Sequence, residues 1–331
     1  MAKAGPVPVV VMGLGFIGQE IARAAKASPE LRLVGAVDTN PQLAGRKLGD
    51  LIGDPSVAIR VSDSLKEAVS RLKGAVLLHA TGSRLSQVFD QLMEAVRLGL
   101  PVVSTCEELS FPFLKHPEES ERLDRAAQKA GVSVLGTGVN PGFVLDRLVA
   151  TAGAVVGEVR HVLVTRVVDA RTRRAALQRK IGAGMTEDEF ERLLEKDQIG
   201  HVGLVESAAL ASLGLGIECD DFEEEIASVV AEEDVEGGAF PVKKGRVAGI
   251  HQSAVGLAEG QEKVRLELTI AVGADDPGDR ILIEGDVPVD LRIRGGIAGD
   301  RATANLVVNA APRVAAAEPG LLTVLELPAG R

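Results

Sequence analysis

The sequence predicts an α/β protein: a doubly wound parallel sheet, then a second, α+β domain with a mainly antiparallel sheet. Three observations predict it. Apolar strand-like runs alternate with helix-like runs from residue 7 to about residue 140. Residues 7–25, VPVVVMGLGFIGQEIARAA, join the first strand to the first helix through a glycine turn. Beyond about residue 150 the texture changes, and runs such as VRLELTIAV, RILIEG and VDLRIRG alternate like antiparallel strands. The expected division is residues 1–145, 146–302 and a C-terminal segment, 303–331, that returns to the first domain.

Composition narrows the function. A chain of 331 residues suits two domains. A formal net charge of −10 argues against nucleic acid or an anionic membrane as partner. Aromatic residues make up 2% and include neither Trp nor Tyr, which excludes base-stacking platforms and any mechanism built on a tyrosine phenol. Two cysteines indicate a reducing compartment. The opening MAKAGPVP lacks a signal-like apolar core, and no stretch is long enough to span a bilayer, so a cytoplasmic location is expected.

Taken in order, Gly13, Gly15 and Gly18 serve a tight turn, a close approach of backbone to pyrophosphate, and close packing of helix on strand. Exposed N–H groups and the helix dipole then favour phosphate. The next strand, residues 31–37, ends in Asp38, twenty residues past Gly18 and at the usual reach of a ribose diol. Residues 45–54 read as a glycine-punctuated loop and residues 62–72 as a short capped helix. A strand at 75–80 opens into Thr81-Gly82-Ser83. A helix at 85–98 precedes a short strand, 101–104, which runs into Thr105-Cys106-Glu107-Glu108. A helix around 118–130 leads to a strand at 133–135 and then to GTGVNPGF, residues 136–143. In an open parallel sheet ligands bind beyond the carboxyl ends of the strands, so these loops are expected to ring one cleft. Further on, residues 159–169 read as a half-exposed strand, and residues 186–197, 204–213 and 220–231 as helices. Residues 303–317 read as a helix interrupted by Pro312.

Glu107 and Glu108 are the strongest candidates for acid–base work, one pointing into the cleft while the other faces solvent or caps the next helix. Cys106 could be a nucleophile, but adjacent carboxylates raise a thiol's pKa, and a packed thiol is the preferred reading. His79 reads as a core or edge residue, and His116, His161 and His251 as surface or packing residues. His201 sits between glycines that let a ligand approach. Arg166, Arg171, Arg173 and Arg174 suit an anionic group or ion pairing. QRKIGAGM, residues 178–185, is a candidate lid or an ordinary connector. No spacing matches a metal site.

With these segments in place, the chain resembles the dihydrodipicolinate-reductase-like family, most closely its 2,4-diaminopentanoate and native amine dehydrogenases. The matching stretches include GLGFIG, VDTNPQLAG, HATGS, STCEEL, GTGVNPGFVLD, QRKIGAGMT, HVGLVES and GGIAGDRATANLVVNA. The resemblance implies a Rossmann domain with a substrate and dimerisation domain, and a homodimer. It also implies NAD(P)-dependent amine dehydrogenation, reversible as reductive amination of a ketone or aldehyde with ammonia. It puts Glu108 at the amine or imine, with Glu107 second, and Asn140, Phe143, Arg166, His201 and Thr303 around the substrate. Cofactor contacts are expected at Gly13, Gly15, Phe16, Ile17, Gly18, Asp38, Asn40, Thr81, Gly82, Ser83, Thr105 and Asn140. Asp38 favours NAD, with Arg46 and Lys47 placed to let NADP be tolerated. The His-His pair, Lys and Ser-Gly-Thr turn of the lysine-pathway reductases are missing. A cyclic imine reductase and a non-catalytic NAD(P)-binding sensor are the alternatives.

Overall fold

The computed structural model describes residues 5–328. The outer ends of the expected first domain and C-terminal segment, residues 1–4 and 329–331, lie outside the described residues. Along the chain the first strands are β1 (Val7–Met12), β2 (Leu31–Val37), β3 (Val61–Ser62), β4 (Val76–His79), β5 (Val102–Ser104) and β6 (Ser133–Gly136). Then come β7 (Val159–Asp169), β8 (Asp221–Val230), β9 (Val247–Ala258), β10 (Gln261–Ala271), β11 (Gly278–Gly285), β12 (Val289–Arg294) and β13 (Gly320–Leu322).

The chain forms two compact units, one made of the residues up to Phe143 and from Ala298 on, the other of Val144–Ile297. In the first, seven parallel strands lie in the order β13-β6-β5-β4-β1-β2-β3. This is the doubly wound fold the alternating pattern predicts. Strands β4, β5 and β6 are buried along their whole length, as parallel strands covered on both faces must be. Leu85, Val88, Phe89, Leu92, Ala95 and Val96 recur at helical spacing and bury one face of the helix Leu85–Arg97 against them.

The second unit is a six-stranded sheet, β12-β11-β7-β10-β9-β8, antiparallel at every pairing except β7 with β10. The helix Leu204–Gly214, whose Ala208, Ala209 and Ala211 are buried, packs on β8, β9 and β10. The capping signature at Thr186 is realised as a reciprocal capping box with Glu189.

Three sequence expectations need correction. Residues 220–231 form no helix: Asp221–Val230 is β8, paired along its length with β9. Glutamate-rich sequence favours helix, and Phe222 and Ile226, four apart, fit either period, so sheet pairing decides. The loop at 45–54 contains a one-turn helix, Leu48–Ile52. The C-terminal helix runs from Gly299 to Val314 with Pro312 inside it, so the Val308 carbonyl loses its i+4 donor but the helix is not broken there. Among the described residues no helix is long and apolar enough to cross a membrane.

Candidate active site

Because the strands of the first unit are parallel, their carboxyl ends share one edge. Main-chain bonds stitch the loops of that edge together. Gly13 N–H donates to Val37 O at 2.9 Å, Ala80 N–H to Met12 O at 2.8 Å, Thr105 N–H to His79 O at 3.0 Å and Thr137 N–H to Ser104 O at 2.8 Å.

The glycine loop has the shape its spacing predicts. Gly13 has φ +86° and Gly18 packs so closely that a Cβ on it would lie 1.7 Å from Gly13 O. At Gly15 an added Cβ would meet nothing within 4 Å. Gly15 is the N-cap of the helix Phe16–Ala27 and lends no side chain to it, and a helix start of this kind favours an anion. A closed turn beside an open approach fits a pyrophosphate. Asp38, at the end of β2, accepts the Leu14 N–H through Oδ2 at 2.6 Å and the Asn40 N–H through Oδ1 at 2.8 Å. A carboxylate has more lone pairs than these two bonds use, so a diol remains within its capacity. Arg46 and Lys47 are exposed on the segment that follows.

Beneath the loop after β4 lies a buried polar network. His79 Nε2 sits 2.7 Å from Thr81 Oγ1 and 3.0 Å from Gln91 Oε1, and Nδ1 sits 2.8 Å from Ser104 Oγ. Thr81 donates to Gln91 Oε1, and Ser104 Oγ accepts from Cys106 N–H. Ser104 therefore donates to Nδ1, and the ring proton resides on Nε2. Burial pushes His79 down to about 4, so the ring is neutral. Thr81 is thus held from below, while Gly82 and Ser83 follow in the half-buried loop.

The loop after β5 carries the carboxylates. Glu107 is half-buried and precedes a 3-10 turn, Glu108–Ser110. Glu108 is 4% exposed. Its Oε2 accepts the Leu85 N–H at 2.7 Å and lies 2.9 Å from His116 Nε2, while Oε1 is 3.6 Å from Arg84 Nη1. The helix Leu85–Arg97 has no cap from Arg84, and Glu108 supplies it. His116, which the sequence suggests is a surface or packing residue, was missed. The sequence hint was the uncapped start after Arg84; nothing in the spacing pointed to His116. Cys106 is buried, its Sγ 3.2 Å from Ser83 O, and burial first, then the Glu107 and Glu108 charges, push the thiol up to about 12. Packing, not nucleophilicity, is its role.

After β6, residues 137–143 include buried Asn140 and half-buried Phe143. Thr303, on the helix Gly299–Val314, joins them: its Oγ1 accepts the Val139 N–H at 3.1 Å. The first unit thus brings Gly13–Gly18, Asp38, Thr81–Ser83, Thr105–Glu108, Asn140 and Phe143 to the loops and helix starts of one sheet edge, with Thr303 tied to Val139 from the helix Gly299–Val314.

Two candidates lie in the second unit. Arg166 on β7 is buried and donates to Asp279 Oδ1 and to Ile297 O, both at 2.6 Å. His201 is clamped through its peptide: its N–H donates to Gln252 Oε1 and its carbonyl accepts from Gln252 Nε2, both at 2.8 Å. Its Nε2 is buried with no hydrogen-bond partner among the described residues. Burial first, then the Lys180 and Arg166 charges, push it down to about 3. Among the described residues no His, Cys, Asp and Glu cluster could hold a metal.

Residues 143–331 match the family model for the 2,4-diaminopentanoate dehydrogenase C-terminal domain, and residues 7–135 that for the dihydrodipicolinate reductase N-terminus. A 2,4-diaminopentanoate dehydrogenase of Acetoanaerobium sticklandii is 28% identical over 333 residues, spanning 98% of this chain and 94% of the relative. A 4-hydroxy-tetrahydrodipicolinate reductase of Synechocystis sp. is 33% identical over 114 residues, 32% of this chain and 40% of that one. Among solved structures, the amine dehydrogenase from Mycobacterium smegmatis has a TM-score of 0.85 at 23% identity, covering 100% of this chain and 98% of that chain. GenD2 from gentamicin A biosynthesis, solved in complex with NAD, has a TM-score of 0.54 at 16% identity, covering 95% of this chain and 86% of that chain. The structural likenesses are likenesses of fold. The family models meet near the end of β6 and together span nearly the whole chain, so the chain belongs to the 2,4-diaminopentanoate dehydrogenase family of oxidoreductases.

Proposed function

We propose that the protein is a cytoplasmic NAD(P)-dependent amine dehydrogenase that deaminates a small amine or diamine to a carbonyl compound and ammonia, reversibly. The observation that carries this reading is the buried Glu108 carboxylate on the strand edge that bears the glycine cradle. The name of the relative at 28% identity makes 2,4-diaminopentanoate the first amine to assay. An alkylammonium, NAD+ and water give a ketone or aldehyde, NH4+, NADH and a proton.

Bound in the cradle, a nicotinamide dinucleotide supplies the hydride acceptor. The main chain of residues 13–18, Phe16 and Ile17 included, would hold the pyrophosphate, and Asp38 and Asn40 the ribose. Thr81, Gly82, Ser83, Thr105 and Asn140 would hold the remainder. Asp38 repels a 2′-phosphate, which favours NAD, while Arg46 and Lys47 let NADP be tolerated. Glu108 takes a proton from the substrate ammonium, freeing the nitrogen lone pair; once it has passed that proton to solvent, its regained charge steadies the cationic imine that water attacks. Asn140, Phe143 and Thr303 in the first unit, and Arg166 and His201 in the second, are assigned to the substrate.

The test is NADH formation with 2,4-diaminopentanoate, and NADH consumption with carbonyl compounds in the presence and absence of ammonium. Glu108→Gln should lower kcat by about 10²–10⁴-fold with NAD binding retained. Turnover near wild type would sink the role of Glu108. Residues 7–135 keep a second reading in view: turnover of a cyclic imine acid without ammonium would make this a reductase. Cofactor binding without turnover of either class would make it a sensor.

We also infer a homodimer through the open face of the six-stranded sheet. Strand register aligns Glu225, Ser253, Glu267, Thr165, Arg280 and Arg292 in one row across that face. The row is acidic at the β8 edge and ends at the β12 edge in two arginines, which Asp290 of the same face bridges at 2.9 and 3.1 Å. A two-fold axis along the strands sets each acidic edge over the partner's arginines, an isologous fit. Arg280→Glu with Arg292→Glu should yield monomers in sedimentation velocity.

A further inference from the structure

A buried carboxylate that takes up and gives back a proton each turnover needs a route to water. Glu108 is 4% exposed, and its hydrogen-bonding and ionic neighbours differ in what they can exchange. The Leu85 N–H is an amide and holds its proton. Arg84, 3.6 Å away, stays charged throughout the working range. The Cys106 thiol, pushed up to about 12, keeps its proton as well. His116 is different. Its Nε2 lies 2.9 Å from Glu108 Oε2 and its side chain is 22% exposed, so one imidazole spans from the buried oxygen to the surface.

The backbone fixes that imidazole in place. His116 is the N-cap of the helix Pro117–Ala130; its N–H donates to Pro112 O at 2.8 Å, and its carbonyl accepts from Ser120 N–H at 2.9 Å and from Ser120 Oγ at 2.6 Å. Pro117 fixes φ one residue on, so the helix start is rigid. Glu108 therefore has a partner whose position does not depend on the substrate.

We propose that His116 is a positioning residue for Glu108 and its proton exchange partner with solvent. In the deamination direction Glu108 takes one proton from the substrate ammonium. In the resting pair the ring N–H faces the carboxylate across the 2.9 Å contact. Once Glu108 is protonated, a half-turn of the ring presents its bare nitrogen to the carboxylic acid; that nitrogen takes the Glu108 proton while the other gives its own to water. One proton enters and one leaves, no electrons are transferred, and the pair recovers its starting charge with an N–H again facing the carboxylate. The reverse sequence delivers a proton during amination. An imidazole suits this task because it carries a donor and an acceptor on opposite edges. The charged groups around the pair are Glu108 and Arg84 across from the ring, Glu107 beside Glu108, and Lys115, Glu118 and Glu119 beside His116 in sequence. The inference rests on the assignment of Glu108 as the acid–base group.

The experiment compares His116→Gln, His116→Ala and Glu108→Gln, each checked by thermal melting and by quenching of bound NADH fluorescence. Wild type should show a pH–rate limb in kcat. His116→Gln keeps a hydrogen bond to the carboxylate but cannot titrate, so it should lose that limb and fall on the order of 10²-fold in kcat, with KM for NAD unchanged. Added imidazole should restore turnover in His116→Ala. Wild-type turnover with an intact limb in His116→Gln, or a loss that is the same at every pH and that imidazole does not rescue, overturns the proposal. Should His116→Gln melt in the assay range, the imidazole response of His116→Ala decides. An active Glu108→Gln would instead remove the assignment of Glu108, whatever the His116 variants do.

Discussion

Asp38 Oδ2 accepts the Leu14 N–H at 2.6 Å, tying the end of β2 to the glycine loop. The carboxylate both shapes the loop and sets its charge. Asp38→Asn keeps an acceptor for Leu14 and removes the charge facing a 2′-phosphate. On the proposed reading that Asp38 favours NAD, competition kinetics should show the ratio of NAD to NADP use falling by about tenfold, roughly 1.4 kcal/mol. An unchanged ratio would mean the discrimination lies elsewhere.

Two glycines of the same loop should separate folding from binding. Gly18→Ala places a methyl 1.7 Å from Gly13 O, where only backbone can yield, and should destabilise the protein by roughly 1–3 kcal/mol or more. Gly15→Ala meets no atom and needs no positive φ. Its Tm should match wild type while NADH binding, read by fluorescence titration, weakens by about tenfold or more.

The second unit holds a buried ion pair, Arg166 with Asp279 at 2.6 Å. Removing one partner strands a charge, so Arg166→Met alone or Asp279→Leu alone should cost about 3–5 kcal/mol. The double variant should recover most of that in urea unfolding. If Arg166 also contacts substrate, the refolded double variant will bind NAD normally but show a raised KM for the amine.

His79 and His201 make stability depend on pH in a defined direction. Both folded pKa values lie below the ordinary histidine value, at about 4 and about 3, so the unfolded chain binds more protons on the acid side. Their stabilisation is complete above about pH 6.5 and is lost as pH falls toward about 4 for His79 and about 3 for His201. The loss is on the order of 3 kcal/mol for His79. Urea unfolding of His79→Gln between pH 7 and pH 4.5 should show a shallower fall than wild type, and an equal slope would refute the assignment.

The sequence carried most of the first unit because its signals are local. A strand, a glycine turn and a capped helix need only neighbours, and Asp38 is found by counting from Gly18. Glu108 was legible as a carboxylate at a strand end. Its partners were not: Leu85 and His116 reach it from other elements, across separations of 23 and 8 residues. The same limit explains β8. Phe222 and Ile226 satisfy both periods, and pairing with β9, a long-range event, chooses between them. Gln252, which fixes the His201 peptide from 51 residues away, left no trace in the sequence.

Strand β13 pairs with β6, and the Ser133 hydroxyl donates to the Glu318 carbonyl 185 residues later. A ribosome therefore releases the first six strands long before the seventh exists. During that interval β6 presents an open parallel edge, and the whole second unit must be synthesised before the edge is covered. A message broken ahead of codon 320, or translation slowed there, would leave a nearly complete sheet with an unpaired flank. Such fragments should aggregate even though every residue of the glycine loop is present.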